Sequence, residues 1–297
     1  MFNVLFCFPM FFIFKKEVVM RKSLLLIAVL GAFSSAQAVM AEEAKPDYTL
    51  SSNASFVSDY IFRGQSQTWG KPAAQISTEL AHKSGLYAGF FASNVSDKWL
   101  PGANLETDLY AGFRNTIGAT EVGYDVGGIY YYYPGANWED SSFANTPKNS
   151  LNTFEVYGAL SYKWLSFKSG ITTTEYWGWD KTNSGVGGGF NGDGGAGVKG
   201  STKGSYFTEV NAAYEVVPTW TVSGQLGHQV INNSTGLDLT YYKVGVSKAL
   251  PADWSVAAFY SGTNEPDAYK DFLSLSNAGN KSDIAKDKVF FSVSKSF

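Results

Sequence analysis

The sequence predicts an all-β fold: a transmembrane antiparallel up-and-down β-barrel of about twelve strands, with short periplasmic turns and long extracellular loops. Three observations predict it. Apolar residues recur at every second position along most of the chain, the gaps between these runs alternate between short and long, and an export signal stands near the N-terminus. Period-two alternation places apolar and polar side chains on opposite faces of a strand. Short connections at one end and long ones at the other, with an even strand count, are what a barrel threaded through a bilayer requires.

The export signal comes first in the chain. Met20-Arg21-Lys22 is a short basic region, Leu24 to Phe33 an apolar core, and Ala36-Gln37-Ala38 a small-x-small cleavage site, with Val39-Met40-Ala41 as a second one. Such a core is too short to serve as a spanning anchor. Residues 1–41 therefore read as an N-terminal extension plus secretory signal peptide, with translation starting at Met20 and cleavage after Ala38 or Ala41. Residues 42–297 read as a single outer-membrane barrel domain. The one cysteine, Cys7, precedes Met20, which leaves the exported part without a disulfide or a Cys-ligated metal.

Composition narrows the class further. Residues 42–297 hold 19 Lys and Arg against 25 Asp and Glu, with all 18 Tyr and all 8 Trp. A chain so rich in aromatics is not disordered, and one so acidic is not a basic nucleic-acid binder. After Ala41 no apolar run approaches the roughly 18 residues of a spanning helix.

The alternating runs follow in order. They cover 48–62 (Tyr48, Leu50, Ala54, Phe56, Tyr60 and Phe62 on one face), 72–82 (Ala74, Ile76, Leu80), 85–95, 104–115 (Leu105, Leu109, Ala111, Phe113) and 119–133 (Val122, Tyr124, Val126, Tyr130). Next come 151–163 (Phe154, Val156, Leu160, Tyr162), 166–178, 205–216 (Tyr206, Val210, Ala212, Tyr214), 219–230, 238–248 (Tyr242, Val244, Val246), 253–263 and 287–297 (Val289, Phe291, Val293, Phe297). Gaps of 9, 8, 17, 26, 7 and 23 residues follow the odd runs, and gaps of 2, 3, 2, 2 and 4 follow the even ones. Phe91 and Phe259 break the pattern by falling on the polar face, which counts toward the competing fold, a secreted β-sandwich or jelly roll. Val293 and the terminal Phe297 read as a C-terminal assembly signal, from which Lys295 departs.

Three segments carry a family resemblance: Phe56-Val-Ser-Asp-Tyr60-Ile-Phe-Arg63-Gly64-Gln-Ser-Gln-Thr68, Leu80-Ala-His-Lys-Ser-Gly85-Leu-Tyr-Ala-Gly-Phe-Phe-Ala-Ser-Asn94-Val, and Gly127-Gly-Ile-Tyr-Tyr-Tyr-Tyr133-Pro134-Gly135. With the terminal Ser-Lys-Ser-Phe297 they resemble the TorF family of porins, proteobacterial outer-membrane proteins, over essentially the whole exported chain. Ser-Asp-Tyr-x-Phe-Arg-Gly is the most specific part. The resemblance implies a barrel and a channel, and no substrate or binding residue.

Alternation also sorts the polar residues. The lumen-lining candidates are the acids Asp59, Glu79, Glu106, Asp108, Glu121, Asp125, Glu155, Glu209 and Glu215, the bases Arg63, Arg114, Lys163, Lys168 and Lys243, and Tyr110. An excess of inward carboxylates favours cations. Asp59 and Arg63, near the outer end of the first strand, read either as an ion pair holding the first long loop against the wall or as residues that shape a constriction, and Arg114 reads as facing Glu121 across a tight turn at Asn115–Gly118. Tyr48, Phe113, Trp164, Tyr214, Trp220 and Trp254, at strand ends, read as interface girdles.

Other chemistry is weakly signalled. Gly195-Ala-Gly197-Val-Lys-Gly200 lacks the strand and helix of a dinucleotide site, and Asn191-Gly-Asp193-Gly has too few carboxylates for a calcium loop. Both read as surface loop, and no cofactor is expected. His82 and His228 have no local serine and acid to complete a triad, so the chain does not read as an enzyme. The expectation is a porin-like channel for passive diffusion of small hydrophilic solutes, mildly cation-preferring. A non-conducting surface receptor or adhesin acting through the loops at 134–150, 179–204 and 264–286 is the alternative, and an outer-membrane lipid-modifying hydrolase the third. The expected partners are outer-membrane lipid, periplasmic chaperones, the barrel-assembly machinery and small solutes, with no nucleic acid.

Overall fold

The computed structural model describes residues 47–142, 147–185, 195–277 and 279–297. The export signal and Asn191–Gly194 therefore lie outside the described residues. Twelve long strands form one ring: β1 (Tyr48–Val57), β2 (Ala73–His82), β3 (Leu86–Asn94), β4 (Leu105–Thr116), β5 (Val122–Tyr132), β6 (Thr153–Tyr162), β7 (Leu165–Thr172), β8 (Tyr206–Val217), β9 (Trp220–Val230), β10 (Leu239–Ala249), β11 (Trp254–Thr263) and β12 (Lys288–Ser296). Each pairs antiparallel with its neighbours in sequence, and β1 closes on β12 from Asn53 opposite Ser296 to Val57 opposite Ser292. Closure removes every sheet edge.

The connections keep the two-beat rhythm. Turns of two to five residues join the strands at one end, here called the inner end, and loops of eight to 33 residues join them at the outer end. Two strands are shorter than their alternation suggests. β1 stops at Val57, and β7 stops at Thr172 before a 3-10 turn at Tyr176–Gly178. In both places the chain leaves the wall and folds over the lumen. The alternation continues there because those side chains are buried in another way.

Outward-facing side chains form an apolar belt. Leu50, Phe56, Leu80, Leu109, Leu160, Phe167, Leu226, Val244 and Phe291 are all exposed. No helix among the described residues is long and apolar enough to cross a membrane. Tyr48, Trp164, Tyr214, Trp220 and Trp254 are exposed at the inner end, and Val293 and Phe297 face outward on the last strand.

Inside the ring, large rings lie over glycines on the neighbouring strand. Tyr87 is opposite Gly112, Tyr110 opposite Gly89, Tyr157 opposite Gly127, Phe207 opposite Gly170, Tyr241 opposite Gly227, and Phe259 opposite Gly245. A Cβ at any of these glycines would come within 2.2–2.7 Å of existing atoms, the opposing ring among them. Bare backbone lets each ring lie flat on the wall, a cross-strand device that protects the glycine and pins the register.

Candidate functional site: a plugged lumen

Residues 58–72, between β1 and β2, turn into the barrel. Ile61–Phe62 pairs with Gln65–Ser66 in a small hairpin. Its two turn residues both have positive φ, Arg63 at 46° and Gly64 at 79°, as a two-residue turn matched to strand twist requires. Gly64 is also pressed against the wall, where a Cβ would lie 2.4 Å from Thr263 Cγ2. The Phe-Arg-Gly of the most specific sequence segment is the tip of this plug.

Arg63 spans the lumen from that tip. It donates to Gln229 Oε1 on β9 at 2.7 Å and to both carboxylate oxygens of Glu155 on β6 at 3.0 Å. Its guanidinium sits 3.7 Å from the Phe207 ring centroid and 4.7 Å from that of Phe62. Burial disfavours the Arg63 charge, yet the Glu155 carboxylate beside it prevails and its pKa is raised. Asp59 holds the base of the plug. It accepts from Ser66 Oγ at 2.6 Å, Thr68 Oγ1 at 2.9 Å and Lys288 Nζ at 3.0 Å. The expected Asp59–Arg63 ion pair therefore does not form. The turn sends the two side chains to different walls, and each finds another partner.

A second layer lies above the plug. Tyr133, Trp138, Leu151, Tyr176, Trp177, Trp179, Leu237, Tyr269 and Ile284 belong to one buried core built from the long loops. Hydrogen bonds run from this roof into the barrel: Trp138 Nε1 donates to the Trp177 carbonyl at 2.9 Å, Trp177 Nε1 to the Tyr133 hydroxyl at 2.7 Å, and Tyr133 to Glu106 at 3.1 Å. Tyr60 donates to the other oxygen of Glu106 at 2.7 Å. Burial first, and the Glu106 charge second, push the Tyr60 and Tyr133 hydroxyls well above their usual pKa, so both remain donors.

Phe91 and Phe259, the two breaks in alternation, are receptors for the plug. Tyr60 meets Phe91 edge-on with centroids 5.9 Å apart. Phe259 stacks on Phe290 at 5.0 Å, and Ile61 completes that cluster. Apolar residues on the lumen face were the available sequence signal of an inserted segment. Lys288, which also faces inward at the start of β12, escaped the sequence reading.

The other lumen candidates fall into two groups. Glu79, Glu106, Asp108, Tyr110, Arg114, Asp125, Glu155, Lys168, Glu209 and Lys243 are buried or half-buried, and the register puts them all on the inner face. Glu121 and Lys163 lie at the inner rim, where their exposed side chains are 3.7 Å apart, and Glu215 accepts from the Thr219 amide in the β8–β9 turn. Arg114 pairs with Glu79, not Glu121, and its register partner is Asp125. The hairpin runs on to Thr116 opposite Gly123 before turning. An even slip of four leaves every side chain on its expected face and changes only its partner. With Asp59, Arg63 and Lys288 added, the enclosed groups are seven acids and five bases.

A cavity of about 130 Å³ lies beneath the plug, lined among others by Tyr60, Arg63, Phe91, Asp108, Tyr131, Lys168, Glu209, Gln225 and Lys243. His228 faces outward and shares a hydrogen bond of 2.9 Å with Thr240, while His82 meets Ser84 at 2.8 Å in the β2–β3 turn. Gly197–Val198, within the glycine-rich stretch, pairs with Ser234–Thr235.

A closed twelve-strand ring, apolar outside and charged inside, is a membrane-spanning β-barrel. More particularly, a family profile described as "Bacterial protein of unknown function (Gcw_chp)" matches residues 41–297, and the chain belongs to that family. The likeness to TorF porins stays a resemblance of the segments quoted above. No curated protein matches the chain. Among solved structures, it resembles the KdgM porin in complex with disordered oligogalacturonate, at 9% identity and a TM-score of 0.46 over 83% of this chain and 99% of that one. It also resembles the NanC porin, at 8% identity and 0.47 over 83% and 98%. The COG4313 outer membrane channel from Pseudomonas putida F1 is 12% identical, with a TM-score of 0.43 over 88% and 100%. Similarities of that size say nothing of what occupies this lumen.

Proposed function

We propose that the protein is an outer-membrane channel for passive diffusion of small hydrophilic solutes, mildly cation-preferring and narrowed by residues 58–72. The charged lumen carries this reading. Enclosing seven acids and five bases has a large desolvation cost, and an apolar filling would hold the ring together without it. Ionisable walls are what solute passage uses. The apolar belt needs a bilayer around it, and the export signal delivers the chain to the envelope. Val293 and Phe297 are the residues offered to periplasmic chaperones and the barrel-assembly machinery. The working partners are lipid and small solutes; cofactor, nucleic acid and enzymatic chemistry have no part in the proposal.

Planar-bilayer recording tests it. Small conductance steps are expected, with a cation-to-anion permeability ratio above one in a salt gradient. Silence at every voltage refutes the channel. The packed roof of loops favours a second reading, a surface receptor or adhesin, which whole-cell binding would then test.

A further inference from the structure

The charges around the cavity do not all cancel. Arg63 is paired with Glu155, and Lys168 stands directly opposite Glu209 in the β7–β8 register. Two groups remain. Asp108 on β4 is 4% exposed, and its Oδ1 has no hydrogen-bond partner. Its near neighbour on the same face, Glu106, shares a side-chain hydrogen bond with it and accepts from the Tyr60 and Tyr133 hydroxyls, so the two carboxyls stand together with no cation between them. Lys243 on β10 has no hydrogen bond or ion pair within 4.0 Å among the described residues. Both side chains line the cavity. β4 and β10 are six places apart in a ring of twelve, so the two charges enter from opposite walls.

The surroundings of the two charges differ. On the Asp108 side the cavity is walled by Tyr60, Phe91 and Tyr131; on the Lys243 side, by its register partners Gln225 and Ser261 and by Lys168 and Glu209. Ring faces attract a cation, most of all one removed from water, while the Lys243 ammonium and the second N–H of Gln225, whose amide also donates to Glu209 at 3.2 Å, suit a carboxylate. We infer that the cavity is a binding site for a small zwitterion, with its ammonium end toward Asp108 and the aromatic wall and its carboxylate end toward Lys243. This deepens the channel reading and rests on it for the passage of the solute. A ligand with one charge leaves the opposite wall unpaired in a poorly solvated site, which is how a polar pocket rejects an incomplete partner.

Isothermal titration calorimetry on the full exported chain, folded in detergent, tests the site. Occupancy is read whether or not the barrel conducts, so a failed titration leaves the channel reading standing and a silent bilayer leaves the site standing. The probes are ω-amino acids of increasing length, glycine, γ-aminobutyrate and ε-aminocaproate, with hexylamine and caproate as single-charge halves. The expected result is saturable binding with a preferred chain length, tighter than either half by about ten-fold or more. Asp108→Asn and Lys243→Met should each weaken it by a similar factor. The comparison with the halves uses the unaltered protein and does not depend on either variant folding. No binding, halves as tight as the zwitterion, or either folded variant binding like the parent would overturn the assignment.

Discussion

Arg63 and Glu155 are 92 positions apart in the chain and 3.0 Å apart across the lumen. The pair ties the inserted hairpin to β6, while the bond to Gln229 ties it to β9. Removing either partner strands a buried charge. Arg63→Met and Glu155→Gln should each lower the unfolding free energy of the folded barrel by about 3–5 kcal/mol, and the double variant by less than the sum. Urea titration of the protein in lipid vesicles reads this, and Arg63→Met should also raise single-channel conductance.

Gly64 faces both a backbone and a space restriction. Gly64→Ala should cost about 1–3 kcal/mol in the same titration and loosen the plug, visible as larger and noisier current steps. Gly224→Ala, on the outer face of β9 with nothing within 4 Å of the added carbon, should change neither reading.

The strand faces, the strand count and the closure of β12 on β1 follow from features legible in the residues, because period-two alternation and connection length are local signals. The partners of the charges are not. Arg114 meets Glu79 because β2 and β4 flank β3 and its guanidinium lies over the Tyr87 ring of β3, 4.3 Å from the centroid, and no pattern within one strand reports that. The inserted plug was half-visible. Phe91 and Phe259 marked its landing sites, and Ser-Asp-Tyr-x-Phe-Arg-Gly its tip, but alternation running on to Phe62 reads as more wall when a single chain is inspected. The roof is built from loops whose packing partners are distant in sequence, so composition alone gave no sign of Trp177 beneath Trp138.

Outward and rim positions should respond differently to charge. Val244→Arg, midway along β10 on the lipid face, is expected to cost about 2–4 kcal/mol, and Tyr48→Arg at the inner rim no more than about 1 kcal/mol. Unfolding in vesicles of fixed composition separates the two. Equal costs would mean that the belt is misplaced along the strands.

Selectivity should follow the enclosed carboxylates. Asp108→Asn combined with Asp125→Asn is expected to lower the cation-to-anion permeability ratio measured by reversal potential. Asp253→Asn, whose side chain is 80% exposed in an inner turn, should do much less. A charge in open solvent is screened beyond about 10 Å at 0.1 M salt. An equal effect from Asp253 would place the selectivity step outside the lumen.

The base of the plug also bridges the seam where the first and last strands of the ring meet. Ser58 donates its amide to the Phe291 carbonyl and accepts from the Phe291 amide through its hydroxyl, each at 2.9 Å. Asp59 holds Lys288, and the Ser66 amide reaches the Ile284 carbonyl at 2.9 Å. All of these partners lie in β12 or just before it, and β12 is the strand that closes the ring. An unfinished ring offers Asp59 no lysine and Ser58 no carbonyl, so the hairpin has nowhere to dock until the last strand arrives. Once docked, it clasps the seam between first and last strands from inside. The segment that narrows the lumen thus doubles as a latch, and the barrel is obstructed by the same contacts that record its completion.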